Sequence, residues 1–196
     1  SLAGYDPARA RSALDIEMRL ARAFPRDSAP LTRAGEIEAE RDRLDRAREI
    51  WSSIPKIEPG KPDRYLETAT LYWDYLMYDD ALRVIEEARK NLSQPDIFAY
   101  EAGAIHENRR DYDRALREYA RGALAEGEGK SRDRLLALSR RPALRPLADR
   151  LTDALVSSAN PAANALDLRI RFLQGQREPL EKLLSAAAVR TTSLDR

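Results

Sequence analysis

Cysteine is absent from this sequence of 196 residues, and histidine occurs once, at His106. Disulfide bonds and thiolate metal sites are therefore excluded, while reducing and oxidising compartments both remain open. A single histidine also excludes a metal centre or a catalytic pair built from two histidines. We expect no cofactor and no metal, and we expect His106 to pack against other side chains.

Long apolar runs and blocks of like charge are missing as well. No run of apolar residues is long enough to cross a membrane, so membrane insertion is not predicted for this segment. The 34 Lys and Arg and the 33 Asp and Glu are interleaved and give a net charge of +1. Charge alone favours neither nucleic acid nor an anionic membrane. Because the sequence starts at Ser1 without a methionine, we expect a fragment of a longer protein.

Glycine is scarce, with 8 residues, whereas hydrophobic residues make up 43% and charged residues 34% of the chain. This composition favours helices and predicts an all-α fold. Apolar residues recur at helical spacing between prolines and glycines, which predicts roughly eight to ten helices. Among the predicted helices are residues 30–40, 44–54, 97–108, 142–157 and 178–189.

A motif repeats every 34 residues, because Ala47, Ala81 and Ala115 follow similar sequences. Twelve residues before each alanine stands another small residue, at Gly35, Ala69 and Gly103. A period of this length is typical of stacked helix–turn–helix units. We interpret residues 1–196 as one domain, with repeats near 30–62, 63–95 and 96–129 and degenerate helix pairs at 5–26 and 131–190.

These positions resemble the tetratricopeptide repeat over about residues 30–126. The family pattern has small residues at its eighth and twentieth positions and larger ones at the seventeenth and twenty-fourth. The seventeenth is Leu44, Tyr78 and Tyr112, and the twenty-fourth is Trp51, Ile85 and Tyr119. The turn glycine of the family is replaced by Asp42, Leu76 and Arg110. The resemblance implies a right-handed superhelical α-solenoid of antiparallel helix pairs.

The resemblance also implies a concave groove lined by the first helix of each pair. The residues that we assign to this groove are Leu66, Thr70, Trp73, Asp74, Ile97, Tyr100, Glu107 and Asn108. Aromatic and aliphatic anchors would bury apolar side chains of a partner, and the acids, with Glu36 and Glu40, would select a basic or neutral segment. In the alternative, Trp73 packs on a neighbouring helix and the acids only solvate the face.

Other family features carry further expectations. Relatives that clamp a carboxylate tail use Lys and Asn at groove positions that are here Thr32, Glu36 and Glu67, so that partner class is disfavoured. Tyr72, Tyr75 and Tyr78 are expected to fill space between helices.

We therefore predict a non-catalytic scaffold that binds a peptide or a partner helix, since no phosphate loop, nucleophile elbow or metal-ligand spacing occurs. One alternative is a substrate-recruiting region of a larger enzyme or assembly factor. A less favoured alternative is a helical repeat that binds RNA through phosphate contacts. These contacts would come from Arg109, Arg110, Arg140, Arg141, Arg145 and Arg150. Self-association through exposed end units is compatible with all of these.

Overall fold

The computed structural model describes residues 7–126, 129–156, 160–176, 178 and 181–182. Every regular element in this part of the chain is helical, which confirms the all-α prediction. The chain divides into two compact units, Ser1–Ile97 (unit 1) and Phe98–Arg196 (unit 2).

Unit 1 contains six helices that pack mainly on their neighbours in sequence. They are α1 (Pro7–Ala23), α2 (Ala29–Glu40), α3 (Leu44–Trp51), α4 (Ile54–Ile57), α5 (Pro62–Asp74) and α6 (Tyr78–Asn91). Helix α2 packs on α1 and α3, and α5 packs on α4, α6 and α3. The largest side chain at the centre of this packing is Trp51, which has no solvent exposure.

Unit 2 contains five α-helices and one short 3-10 turn in its described part. They are α7 (Ala99–Asn108), α8 (Tyr112–Glu126), α9 (Lys130–Ser139), the turn Pro142–Leu144, α10 (Arg145–Val156) and α11 (Pro161–Leu173). Helix α8 packs on α7, α9 and α10, while α11 packs on α9 and α10. The core includes Tyr119, Leu135, Leu138 and Ile170, all of them buried.

The period of 34 residues recurs in the local backbone. Helices α3, α6 and α8 begin 34 residues apart, and Asp42, Leu76 and Arg110 in the turns before them have φ values of 59°, 60° and 60°. After Leu76, for example, the Met77 N–H donates to the Tyr72 carbonyl at 2.8 Å, and the Leu76 N–H donates to the Trp73 carbonyl at 2.9 Å. These bonds close the helix in a Schellman motif, in which glycine is the usual left-handed residue.

Replacing Leu76 with glycine should stabilise unit 1 by about 0.5 to 1 kcal/mol, because the Cβ atom of leucine disfavours a left-handed backbone. The Leu76 side chain is 69% exposed, so little packing is lost. Chemical denaturation followed by circular dichroism measures the gain. Leu76→Ala is the matched control, since alanine keeps the Cβ atom. An equal gain from alanine would contradict the backbone explanation.

The small residues of the repeat lie where two helices approach closely. A Cβ atom added at Gly103 would come within 2.6 Å of the Tyr119 ring, and one added at Gly35 would overlap the Trp51 indole. The other small positions, Ala47, Ala69, Ala81 and Ala115, are almost completely buried. Tyr78 and Tyr112 are half-buried. Close backbone approach therefore explains the small residues of the 34-residue pattern.

Several predicted boundaries are wrong. The helix predicted over 97–108 begins at Ala99, because Phe98 has a φ of 58° and breaks the helix before it. The helix predicted over 44–54 ends at Trp51, and Pro55 belongs to the separate α4, where a proline fits the first turn.

Two longer predictions also need correction. The range 5–26, interpreted as a helix pair, holds a single helix, α1, in its described part, and residues 142–157 begin with a 3-10 turn before α10. Most of the helix predicted over 178–189 lies outside the described residues.

Candidate functional site

Helix α5 brings four of the predicted groove residues onto one side. Leu66 and Trp73 are half-buried, whereas Thr70 and Asp74 are exposed. The opposite side of α5 is buried and carries Tyr65, Thr68, Ala69, Leu71 and Tyr72. We call Leu66, Thr70, Trp73 and Asp74 the α5 face. No hydrogen bond or ion pair to the described residues holds the polar groups of this face.

The core tryptophan of unit 1 is Trp51 rather than Trp73. The Trp51 Nε1 donates to the Thr32 carbonyl at 3.1 Å. Its ring lies 5.8 Å from the Tyr72 ring and 5.1 Å from the Tyr75 ring. Tyr72 and Tyr75 thus fill space around Trp51, and burial with the nearby Asp80 carboxylate raises the pKa of Tyr72 to about 12. These contacts leave Trp73 outside the aromatic cluster.

Acidic side chains surround the exposed edge of this aromatic cluster. Partial burial raises the pKa of Tyr75, and the negative charges of Glu36 and Glu40 raise it further. On α2, Arg33 lies 3.0 Å from Glu36 and 3.5 Å from Glu40, so one cation faces two acids. Asp74 adds a third negative charge near Tyr75. The surroundings of Tyr75 and Asp74 therefore favour a cationic ligand.

Glu67 is engaged inside unit 1 and ties α5 to the start of α2. It accepts hydrogen bonds from the Ser28 hydroxyl at 2.8 Å and the Thr32 hydroxyl at 2.9 Å. Arg64 also donates to Glu67, at 3.2 Å. A carboxylate at this position repels a second carboxylate, which agrees with the disfavoured carboxylate-tail partner.

The groove residues predicted on α7 are used for packing within unit 2. Glu107 accepts a hydrogen bond from the Tyr119 hydroxyl at 3.0 Å and two from Arg134, one of them from Nε at 2.8 Å. The ring of Tyr100 lies 5.7 Å from that of Tyr119, with the Lys130 ammonium 4.4 Å above it. The sequence did not reveal Arg134 and Lys130 as partners, because α9 lies outside the clear repeats.

The two remaining groove residues are not brought onto the α5 face. Ile97 precedes α7 and belongs to unit 1, where its carbonyl accepts a hydrogen bond from Arg89 Nε at 3.2 Å. Asn108 is exposed at the end of α7. The set predicted from the repeat pattern therefore contains one continuous group, the α5 face.

His106 lies in the core of unit 2, with an exposure of 8%. Burial lowers the pKa of His106, although the Asp111 carboxylate, 3.8 Å from Nδ1, opposes this effect. A buried imidazole with a lowered pKa is uncharged at neutral pH.

A cavity of about 210 Å³ lies between α8, α9 and α11 in unit 2. Alanine and leucine side chains, together with Arg132 and Arg169, line it. No acid, histidine or hydroxyl is among these lining side chains, so the cavity offers neither a nucleophile nor a general base. Within the described ranges, no group of three or more His, Asp and Glu is placed to hold a metal ion.

The helices of the described part of the chain are either too short or too polar to cross a membrane. The six arginines considered for RNA all lie in unit 2 and are exposed.

Comparison with models of known protein families finds no match, and comparison with characterised proteins finds no detectable relative. The resemblance to the tetratricopeptide repeat therefore depends on the residues of the chain itself.

Proposed function

We propose that this protein is a non-catalytic interaction scaffold built from tetratricopeptide-like repeats of a helical solenoid. The repeated turns at Asp42, Leu76 and Arg110 support the repeat, as do the glycine contacts of Trp51 and Tyr119. The proposed binding surface is the α5 face of unit 1, which takes an extended peptide or a helix of a protein partner.

The observation that carries this proposal is the position of Trp73. It is a half-buried tryptophan on a face whose polar neighbours, Thr70 and Asp74, are exposed and make no hydrogen bond to the described residues. A tryptophan of this kind buries a large area at a small cost in conformational entropy, so it is a favourable interface anchor. Leu66, one helical turn before Thr70, extends the apolar part of the surface.

The charges near the α5 face specify the chemistry of the partner. Asp74 has no ion-pair partner in the described residues, and Glu36 and Glu40 share Arg33. A segment with a large apolar residue next to Lys or Arg therefore complements this face, whereas an acidic segment is repelled.

Selection of short randomised peptides on the complete chain tests the proposal. We expect enriched peptides to carry an aromatic or large aliphatic residue beside Lys or Arg. Trp73→Ala should weaken their binding about 10-fold or more, since loss of a central anchor costs over 1 kcal/mol. Asp74→Lys should weaken binding of the basic peptides and reduce its dependence on salt.

Phe172→Ala is the matched control, because Phe172 is 49% exposed and lies in unit 2. It should leave peptide affinity unchanged. Equal affinities of the wild-type and Trp73→Ala proteins, both folded by circular dichroism, would overturn the assignment of the α5 face.

A further inference from the structure

Four exposed arginines of unit 2 have no carboxylate partner within the described residues. They are Arg110, Arg140, Arg141 and Arg145. Arg145 makes only a long hydrogen bond, 3.5 Å, to the carbonyl of Gln174. Elsewhere exposed arginines are commonly paired, as Arg46 is with Glu49 at 2.7 Å. We call these four residues the arginine edge.

Two ion pairs place the turns that carry these arginines at the same end of unit 2. Lys130 near the start of α9 binds Glu101 near the start of α7 at 2.7 Å, and Arg134 further along α9 binds Glu107 near the end of α7. The two helices therefore run in the same direction. Their carboxyl ends, followed by Arg110 and by Arg140 and Arg141, lie side by side.

Electrostatic contacts support this arrangement. Burial opposes ionisation of Glu107, but the hydrogen bonds from Arg134 and Tyr119 and the positive charge of Arg141 together hold the pKa of Glu107 below its ordinary value. Arg141 therefore lies near the end of α7. Helix α10, which starts at Arg145, also reaches the start of α8, since Arg150 lies 3.7 Å from Asp113.

The acids at this end of unit 2 are already neutralised. Besides Glu107, they are Asp111, which lies 3.4 Å from Arg114, and Asp113, which lies 2.9 Å from Arg117. The four arginines of the edge thus carry a local excess of positive charge in a chain whose net charge is only +1. This excess is a property of the folded unit, because the signs alternate along the sequence.

We propose that the arginine edge is a second binding surface, which takes a short acidic segment of a protein partner. The guanidinium group matches a carboxylate with two parallel hydrogen bonds, so a few Asp or Glu side chains saturate the edge.

A nucleic acid fits the arginine edge less well. Its continuous phosphate backbone would also meet the carboxylates of Asp111 and Asp113. The nearby ring of Tyr100 is covered by Lys130 and does not offer a free stacking surface. This surface belongs to unit 2 and does not depend on the α5 face of unit 1.

Fluorescence anisotropy with a labelled peptide that carries a run of glutamates, and with labelled oligouridine, tests the proposal on the complete chain. We expect the acidic peptide to bind more tightly than the oligouridine, with an affinity that falls as salt is added. Arg140→Gln combined with Arg141→Gln should weaken peptide binding about 10-fold, as expected for the loss of two ion pairs. The corresponding Lys double variant should retain part of the affinity, since it keeps charge without the fork.

The matched control combines Arg46→Gln with Arg83→Gln, two arginines of unit 1 whose side chains are 68% and 69% exposed. It removes the same net charge and should change the affinity less than about 2-fold. Arg110→Gln provides an independent variant if the first one unfolds, with an expected loss of a few fold. The proposal is overturned by tighter binding of oligouridine, by an equal loss in the control, or by the absence of saturable peptide binding.

Discussion

Replacing Gly35 with alanine destabilises unit 1 by about 2 kcal/mol or more. An added Cβ atom would lie only 2.5 Å from the Cδ1 atom of Trp51. The indole cannot move aside, because Trp51 has no exposure and its Nε1 is fixed by the hydrogen bond to the Thr32 carbonyl. Overpacking of this kind costs roughly 1 to 3 kcal/mol or more, and the higher helix propensity of alanine recovers only about 1 kcal/mol.

Chemical denaturation followed by circular dichroism measures this loss, and hydrogen exchange should show it first in the amides of α2 and α3. Gly60→Ala is the control, since nothing lies within 4 Å of a Cβ atom at that position. We expect it to change stability by less than about 0.5 kcal/mol. Gly103→Ala should repeat the effect in unit 2 through Tyr119. Unchanged stability of Gly35→Ala would mean that the contact between α2 and α3 is looser than described.

Replacing Glu107 with glutamine destabilises unit 2 by about 2 to 3 kcal/mol, because it removes a charged acceptor that serves two partners. The side chain of Glu107 is 13% exposed, and it holds Arg134 and the Tyr119 hydroxyl together. Glutamine has a similar shape but cannot accept both hydrogen bonds of the Arg134 fork with a full negative charge. The affected contacts join α7, α8 and α9.

This contribution depends on pH in a direction that the pKa of Glu107 sets. Burial alone would raise this pKa, but the hydrogen bonds from Arg134 and Tyr119 outweigh it and hold the folded-state value below the ordinary one. The stabilisation is therefore fully present above the unfolded value of about 4.3 and is lost as the pH falls through the folded-state pKa. The stability difference between wild type and Glu107→Gln should shrink over that range.

Denaturation at a series of pH values measures this difference. Glu49→Gln is the control, because Glu49 is 65% exposed and pairs only with the exposed Arg46 in unit 1. Its effect should stay within about 0.5 kcal/mol at every pH. A difference for Glu107→Gln that stays constant down to strongly acidic pH would show that the carboxylate charge contributes little.

The sequence predicted the features that depend on local geometry. The spacing of 34 residues between Ala47, Ala81 and Ala115 anticipated the matching starts of α3, α6 and α8. Small residues at Gly35 and Gly103 anticipated close helix approach, since backbone sterics exclude larger side chains there. The sequence did not predict the break before α7, because a left-handed conformation at Phe98 contradicts the preference of a bulky residue.

The candidate site was only partly predictable, since the repeat pattern identifies positions on a helix but not their partners. It identified the α5 face correctly as one side of a helix. It did not show that Glu107 binds Arg134, 27 residues further along the chain, or that Tyr100 lies beneath Lys130. Those partners come from α9, whose sequence departs from the repeat.

Composition and periodicity by themselves determined that this chain is helical, that its helices start at regular intervals and which positions must be small. These properties depend on backbone geometry and on steric limits that act over a few turns. Only the tertiary structure decided which of two tryptophans is buried, which acids are neutralised and where unpaired arginines gather. Those outcomes depend on contacts between helices distant in sequence, where many side chains compete for the same neighbours.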